Sequence, residues 1–400
     1  MATLAGSQEA QLYWLALHLV PGLGTGNAVR LIRKLGSPQA VFHASLTELE
    51  GCGLRAAVAQ SIVSGVSFED AAAEAEKVRA AGAEIVTWSD PRYPECLKEI
   101  FDPPVLLYAR GRVELLRSFQ IAVVGSRKPS PYGRAVAEKL AGELGAAGLV
   151  ISSGMARGID TAAHQGALRA GGDTLAVLGC GIDMVYPTEN RKLMAEMAEK
   201  GLLVAEFPME TAAFPQNFPI RNRIISGMST GVMIVEGAEY SGSLITARLA
   251  LDQGREVFAV PGNIVSKLSW APNLLIKQGA TLVQSWQDVV EALPTPVRRM
   301  ILEAQKEKLG ERASTALAGD ATSGEAASSL FSAARKGDGD LSTLQRRLIE
   351  LLQVDTSTHI DAVIGQMAEN SASEIIAALC ELELAGHIRQ LPGRNFVRVW

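Results

Sequence analysis

Residues 119–292 pass six times from a short apolar β-rich run into an amphipathic stretch of helical length, and this alternation restricts the chain more than any other feature. The runs are IAVVG, LVISSG, TLAVLGCG, LLVAEFP, GVMIVEG and EVFAVPG. Strands that are apolar on both faces need cover on both faces, and helix-length connections supply it. The pattern therefore predicts an α/β fold, a doubly wound, mostly parallel sheet. Ser130 and Pro131 suit the N-cap and first turn of the helix after the first strand, and Gly148 suits its end.

Four hundred residues with 48% hydrophobic side chains exceed one domain. Residues 1–81 are expected to form a helical domain. Within it, LVPGLGTGNAVRLIRKLG and LTELEGCGLRAAVAQSIVSG look like two small helical hairpins in tandem, followed by an alanine-rich helix at 69–81. Residues 82–293 carry the α/β core. The stretch 294–340, rich in Ala, Ser, Gly and charge, reads as a flexible linker. From 341 to 400, helices are expected at STLQRRLIELLQ, HIDAVIGQ and SASEIIAALCELELAG. A hairpin in HIRQLPGRNFVRVW follows, which gives a helix-turn-helix with a wing, a winged-helix domain.

A formal net charge of −5 gives no overall attraction to a polyanion, so contact with nucleic acid would require a local basic patch. Cys52, Cys96, Cys180 and Cys380 stand far apart, without zinc-site spacing or the look of a disulfide framework. No metal and no cofactor are expected. The N-terminus lacks a charged segment followed by an apolar core, and no run of about 18 apolar residues occurs. A cytoplasmic chain without a membrane span is the expectation.

Three strand ends carry small-residue turns. VVGSRKPSPYG places Gly125, Ser126 and Arg127 where backbone amides and a helix N-terminus attract an anionic oxygen, and Arg127 adds a forked donor. SSGMARGID places Ser153, Gly154 and Arg157 at the next strand end, with Asp160 as a candidate cap. In an open parallel sheet these turns should converge on one crevice. EGAEYSGSLITARLALDQG supplies Ser241, Gly242 and Ser243, with Thr246 one turn into a helix. FPQNFPIRNRIISGMS adds Phe218, Arg221, Asn222 and Arg223. Guanidinium groups for phosphates beside an aromatic face for a base are what an unpaired nucleic-acid strand requires. Core packing for Phe218 and salt bridges for the arginines are the plainer alternative. His164 reads as a structural hydrogen-bonding group. No Walker, HExxH or GxSxG motif is present.

VPGLGTGNA resembles the hairpin of helix-hairpin-helix modules, and LEGCGLRAA resembles a degenerate copy. Packing within a helical domain and contact with a DNA backbone both fit. The expected recognition helix, SASEIIAALCELEL, holds three glutamates and no basic residue, which favours protein contact over groove binding.

Together VVGSRKPSPYG, SSGMARGIDTAAHQGAL, VLGCGIDMVYP, FPIRNRIISGMS, SGSLITARLALDQGR and VFAVPG resemble the core signatures of the DNA-processing protein A family, DprA or Smf, over residues 119–284. The resemblance implies an extended Rossmann-like core that binds single-stranded DNA, forms a homodimer and loads the RecA recombinase onto DNA arriving in natural transformation. Among the crevice residues themselves no acid/base or nucleophile constellation stands out, so no catalytic residue is expected. The resemblance also implies that Gly125, Ser126, Arg127, Gly154, Arg157, Phe218, Arg221, Asn222, Arg223, Ser241, Gly242, Ser243 and Thr246 line the site. One departure is Ala271, followed by Pro272, where the family usually has Gly two residues before the matching Asn273. The core is also similar to nucleotide phosphoribohydrolases, whose motif puts a glutamate three residues after the threonine. Leu249 stands in that place after Thr246. A third reading is a transcriptional regulator acting through the winged helix.

Overall fold

The computed structural model describes residues 2–301 and, beyond them, 343–352, 358–367, 374–375, 378–379, 382–383, 388–391 and 395–398. The chain forms two compact units, Met1–Gly310 and Glu311–Trp400. Most of the expected linker, 302–340, lies outside the described residues, as does much of the expected recognition helix. Residues 295–301 are helical, and Val297 and Ile301 are buried in the core of the first unit.

The first unit opens with six helices, α1 (Ala2–His18), α2 (Thr25–Leu35), α3 (Pro38–His43), α4 (Leu46–Gly51), α5 (Ala56–Ser64) and α6 (Ser67–Ala80). Ser37 and Ser45 cap α3 and α4 through their hydroxyls. Leu15, Leu31, Val41, Leu49 and Ile62 are buried in one cluster with Ile85, Leu106, Tyr108 and Leu203 of the sheet. The helical segment and one wing of the sheet therefore share a hydrophobic core.

Nine strands form that sheet: β1 (Glu84–Thr87), β2 (Leu106–Gly111), β3 (Gln120–Val124), β4 (Val150–Ser153), β5 (Thr174–Leu178), β6 (Leu202–Ala205), β7 (Gly231–Ile234), β8 (Glu256–Ala259) and β9 (Thr281–Leu282). Their order is β1-β2-β6-β5-β4-β3-β7-β8-β9. The six expected strands are β3 to β8, and all pairs among them are parallel. β1 and β2 were not expected. They pair antiparallel with each other, and β2 pairs antiparallel with β6.

The remaining helices of this unit are α7 (Glu95–Lys98), α8 (Pro131–Ala146), α9 (Ile159–Arg169), α10 (Arg191–Lys200), α11 (Asn217–Met228), α12 (Gly242–Asp252), α13 (Trp270–Lys277) and α14 (Trp286–Ala292). One face of the sheet is covered from α8, α9 and α14, through Leu140, Leu144, Ala163 and Val289. The other face is covered from α11, α12 and α13, through Ile224, Ile225, Ala247 and Leu275. The α/β architecture thus follows the sequence pattern. From β3 the chain adds β4, β5 and β6 on one side and then returns to add β7 on the other. In a parallel sheet such a reversal leaves a crevice beyond the carboxyl ends of the two strands, here β3 and β7.

In the second unit, α15 (Thr343–Leu351) and α16 (Ile360–Gln366) accompany a small sheet of β10 (Thr358–His359), β11 (Ile388–Leu391) and β12 (Asn395–Arg398). Its order is β10-β12-β11 and both pairings are antiparallel, so β11 and β12 form the expected hairpin. Leu348, Val363, Leu379 and Phe396 are buried in its core. Among the described residues, no helix is long and apolar enough to cross a membrane.

Candidate nucleic-acid interface

A crevice of about 530 Å³ opens at the β3/β7 switch point. Of the expected site residues, Gly125, Ser126, Arg127, Phe218, Arg221, Asn222, Ser241, Gly242, Ser243 and Thr246 line it. Gly154 stands just behind, while Arg157 and Arg223 are not among its walls.

The three strand-end turns differ in what satisfies them. At the start of α8, Ser130 caps the helix by accepting from the Gly133 N–H at 3.1 Å. The buried Glu236 carboxylate then accepts from the Ser130 N–H at 2.8 Å and from its hydroxyl at 2.5 Å. Gly133 leaves the space this carboxylate fills, since a Cβ there would collide with it. The Ser126 N–H is taken by the Glu236 carbonyl at 2.8 Å. The expected anion trap at the β3 turn is therefore occupied by the chain's own carboxylate, and what the turn offers outward is Arg127.

The β4 turn is closed in a similar way. The Asp160 carboxylate accepts from the Gly154 and Ala156 N–H groups at 3.1 and 3.3 Å. Burial raises the pKa of Asp160, against the pull of the nearby Arg221. Asp160 holds the turn itself, whereas the sequence reading had it capping α9. Arg157 points away to Glu189 at 2.7 Å in an exposed ion pair, so it does not join Arg127.

The α12 turn is the open one. Ser241 occupies the N-cap position but makes no side-chain cap hydrogen bond; its hydroxyl pairs with that of Ser243 at 2.9 Å. The first-turn amides of a helix carry partial positive charge and attract anions. The Leu244 N–H is taken by the Ser241 carbonyl at 3.1 Å, whereas Ser241 gives no side-chain cap to the N–H groups of Gly242 and Ser243, two residues that line the crevice.

Arg221 forms the floor. It is 3% exposed, its guanidinium donates to the Val177 carbonyl, and it lies against Gly154, where a Cβ would collide with it. Its buried Nε makes no hydrogen bond among the described residues. Burial lowers its pKa to about 10, with Asp160 opposing that shift and Arg127 reinforcing it. It remains a cation at neutral pH, held in place before any ligand arrives.

Arg127 is exposed and has no acidic partner among the described residues. Its guanidinium carbon lies 5.0 Å from the Phe218 ring centre, within cation–π range. Phe218 in turn meets Tyr186 with ring centres 5.4 Å apart and planes 38° apart. Tyr186, 37% exposed, was not among the expected site residues, although VLGCGIDMVYP contains it. Its aromatic side chain beside a glycine-rich strand end was the available signal.

Arg223 belongs to the protein interior. It is 6% exposed, with Nε 3.0 Å from Asp102 and Nη2 2.6 Å from the buried Glu206. Burial alone would lower its pKa, but Glu206 and Asp102 outweigh it and hold the pKa above the ordinary value. The salt-bridge alternative is the correct one for this residue. His164 is also structural: it is fully buried, with Nδ1 2.7 Å from the Thr174 hydroxyl.

Ala271 and Pro272 sit in the first turn of α13. The Ala271 N–H donates to Gly237 at 2.9 Å. Asn273 still clasps Gly262, accepting from its N–H at 3.2 Å and donating to its carbonyl at 3.0 Å. The departure from the usual glycine is absorbed in a regular helix start.

Residues 84–294 match the family model of DNA recombination-mediator protein A, and residues 332–394 match the DprA winged helix domain. The chain belongs to the DprA/Smf family. Protein Smf of Synechocystis sp. is 31% identical over 99% of this chain and the whole of that protein. The DNA processing protein DprA of Bacillus subtilis is 45% identical over 54% of this chain and 73% of its own length. The X-ray structure of DprA from Streptococcus pneumoniae superposes with a TM-score of 0.65 at 36% identity, covering 71% of this chain and 98% of that one. The winged-helix expectation for the C-terminal unit and the mixed α/β fold of the core are both in keeping with these matches.

Proposed function

We propose that the crevice binds single-stranded DNA without sequence preference and without cutting it. One observation carries this reading. The unpaired Arg127, the buried Arg221 and the open start of α12 share a single crevice with the Phe218–Tyr186 aromatic pair. Cations and free amides suit the phosphates of any strand, and aromatic faces suit bases that are not already stacked in a duplex. Family membership places the protein in DNA processing and recombination mediation, which agrees with a site that holds DNA.

On this reading the protein protects an incoming strand in the cytoplasm and loads the RecA recombinase onto it, acting as a homodimer. The phosphoribohydrolase reading lacks its carboxylate, because Leu249 stands one helical turn after Thr246.

Titration of the purified chain with single-stranded and duplex oligonucleotides of one sequence tests the proposal. Tighter binding of the single strand, with the strand recovered intact, is the expected result. Preference for the duplex, or release of free base from nucleotides, would overturn it.

A further inference from the structure

We propose that the exposed face of the two N-terminal hairpins is a seat for the sugar-phosphate backbone of duplex DNA, separate from the crevice. The proposal stands on the hairpins themselves and goes beyond the single-strand reading.

The hairpins repeat each other: Gly22, Leu23, Ala28 and Leu31 recur 31 residues later as Gly53, Leu54, Ala59 and Ile62. Both glycines hold a positive φ, 73° and 83°, in the turns that lead into α2 and α5. Leu23 and Leu54, the residues that follow them, are buried in the shared core, so the inward side of each turn does the packing. The outward sides, with Gly22 and Gly53 exposed, are left over. They form one surface, because the cations are crossed between the hairpins. The Arg55 guanidinium stands over Gly22 and the Arg30 guanidinium over Gly53, 3.8 and 3.7 Å from where a Cβ would be. Neither α2 nor α5 has a side-chain cap, so the partial positive charge of each helix start adds to that of the arginines.

Charge selects the partner. Residues 19–66 carry Arg30, Arg33, Lys34 and Arg55 against Glu48 and Glu50, whereas the whole chain has 38 Lys and Arg against 43 Asp and Glu. All four cations are exposed, and Arg30, Arg33 and Lys34 donate to neutral oxygens, of Asn27, Lys98 and Gly51. None has an acidic partner among the described residues. Positions 30, 33 and 34 share one face of α2, where like charges repel until a polyanion neutralises them. The ring among them, Trp88, already meets the Arg33 guanidinium at 5.6 Å and the Lys98 ammonium at 5.9 Å. Cations whose neighbouring ring is engaged suit the phosphates of a duplex, where the bases are already stacked on one another. An unpaired strand needs free aromatic faces, and these stand in the crevice.

The test titrates the full chain with a fluorescein-labelled duplex, and with one of its strands alone, across a series of salt concentrations. The variants are the pair Arg30→Gln and Arg55→Gln, the charge-keeping pair Arg30→Lys and Arg55→Lys, and Arg127→Ala. The glutamine pair is expected to weaken duplex binding and to make its log–log salt slope shallower by about 1.8, two phosphate contacts at about 0.9 each. Its single-strand affinity and thermal midpoint should stay unchanged. The lysine pair should keep the duplex slope, and Arg127→Ala should weaken the single strand while sparing the duplex. A duplex slope untouched by the glutamine pair, or abolished by Arg127→Ala, overturns the proposal. Capture of poly-glutamate with no binding of the duplex also overturns it, since the face would then belong to an acidic protein. A duplex effect of the glutamine pair with no effect of Arg127→Ala on the single strand would support the hairpin seat and sink the crevice reading alone.

Discussion

Arg221 and Arg223 are two positions apart on α11, and successive helical residues turn by about 100°, so their side chains leave the helix in nearly opposite directions. One becomes the floor of the crevice, the other the partner of Glu206 and Asp102. Arg223→Ala would strand the buried Glu206 carboxylate. It is expected to cost about 3–5 kcal/mol of stability, read by denaturant unfolding, with DNA affinity of the remaining folded protein little changed. The sequence string RNR contains both arginines but not the fold that separates them, which is why both were expected in the site. The place of Arg127 and Arg221 in the crevice lining was legible from a cation at a strand end in one case and from residue type alone in the other, since Arg221, like Phe218, lies on α11. Tyr186 was harder to see, because its meaning comes from Phe218, 32 residues later in the chain, stacked at 5.4 Å.

Among the elements, α8 and α12 both begin with a serine at the N-cap, yet Ser130 of α8 is engaged by a carboxylate and stands outside the crevice lining, while Ser241 of α12 lines it. The difference is Glu236, which reaches Ser130 from 106 residues away. A local pattern reveals a serine cap, but not a carboxylate delivered by another strand end. Gly133→Ala would push a methyl group into that carboxylate and should destabilise the protein by about 1–3 kcal/mol, measurable as a lower thermal midpoint. The parallel strands were legible throughout because buried strands read as continuous apolar runs. β1 and β2 were not, since they are short antiparallel additions set among Pro91, Pro94, Pro103 and Pro104, whose turn signals dominate that stretch.

For the whole molecule, the buried His164 links stability to pH. Its pKa is lowered from about 6.5 to about 3, by burial first and by the charge of Arg221 second. The unfolded chain therefore binds a proton below about pH 6.5 that the folded chain refuses. The stabilisation is complete above that pH and is lost progressively as the pH falls towards 3. Unfolding free energy should drop by up to about 1.4 kcal/mol per pH unit from this residue between pH 6.5 and 4.5, before most carboxylates titrate. His164→Gln should flatten the pH dependence of the unfolding midpoint by that share. An unchanged slope would show that His164 is not excluded from protonation in the folded state.

The central claim is that strand-end groups at the switch point grip the phosphates of an unpaired strand. Affinity of the intact protein and of Arg127→Ala for several single-stranded sequences, across a series of salt concentrations, tests it most directly. The account predicts weaker binding by a similar factor for every sequence and a log–log salt slope shallower by about 0.7, the value of one lost phosphate contact on a single strand. Unchanged affinity and slope, or a loss confined to one sequence, would contradict it.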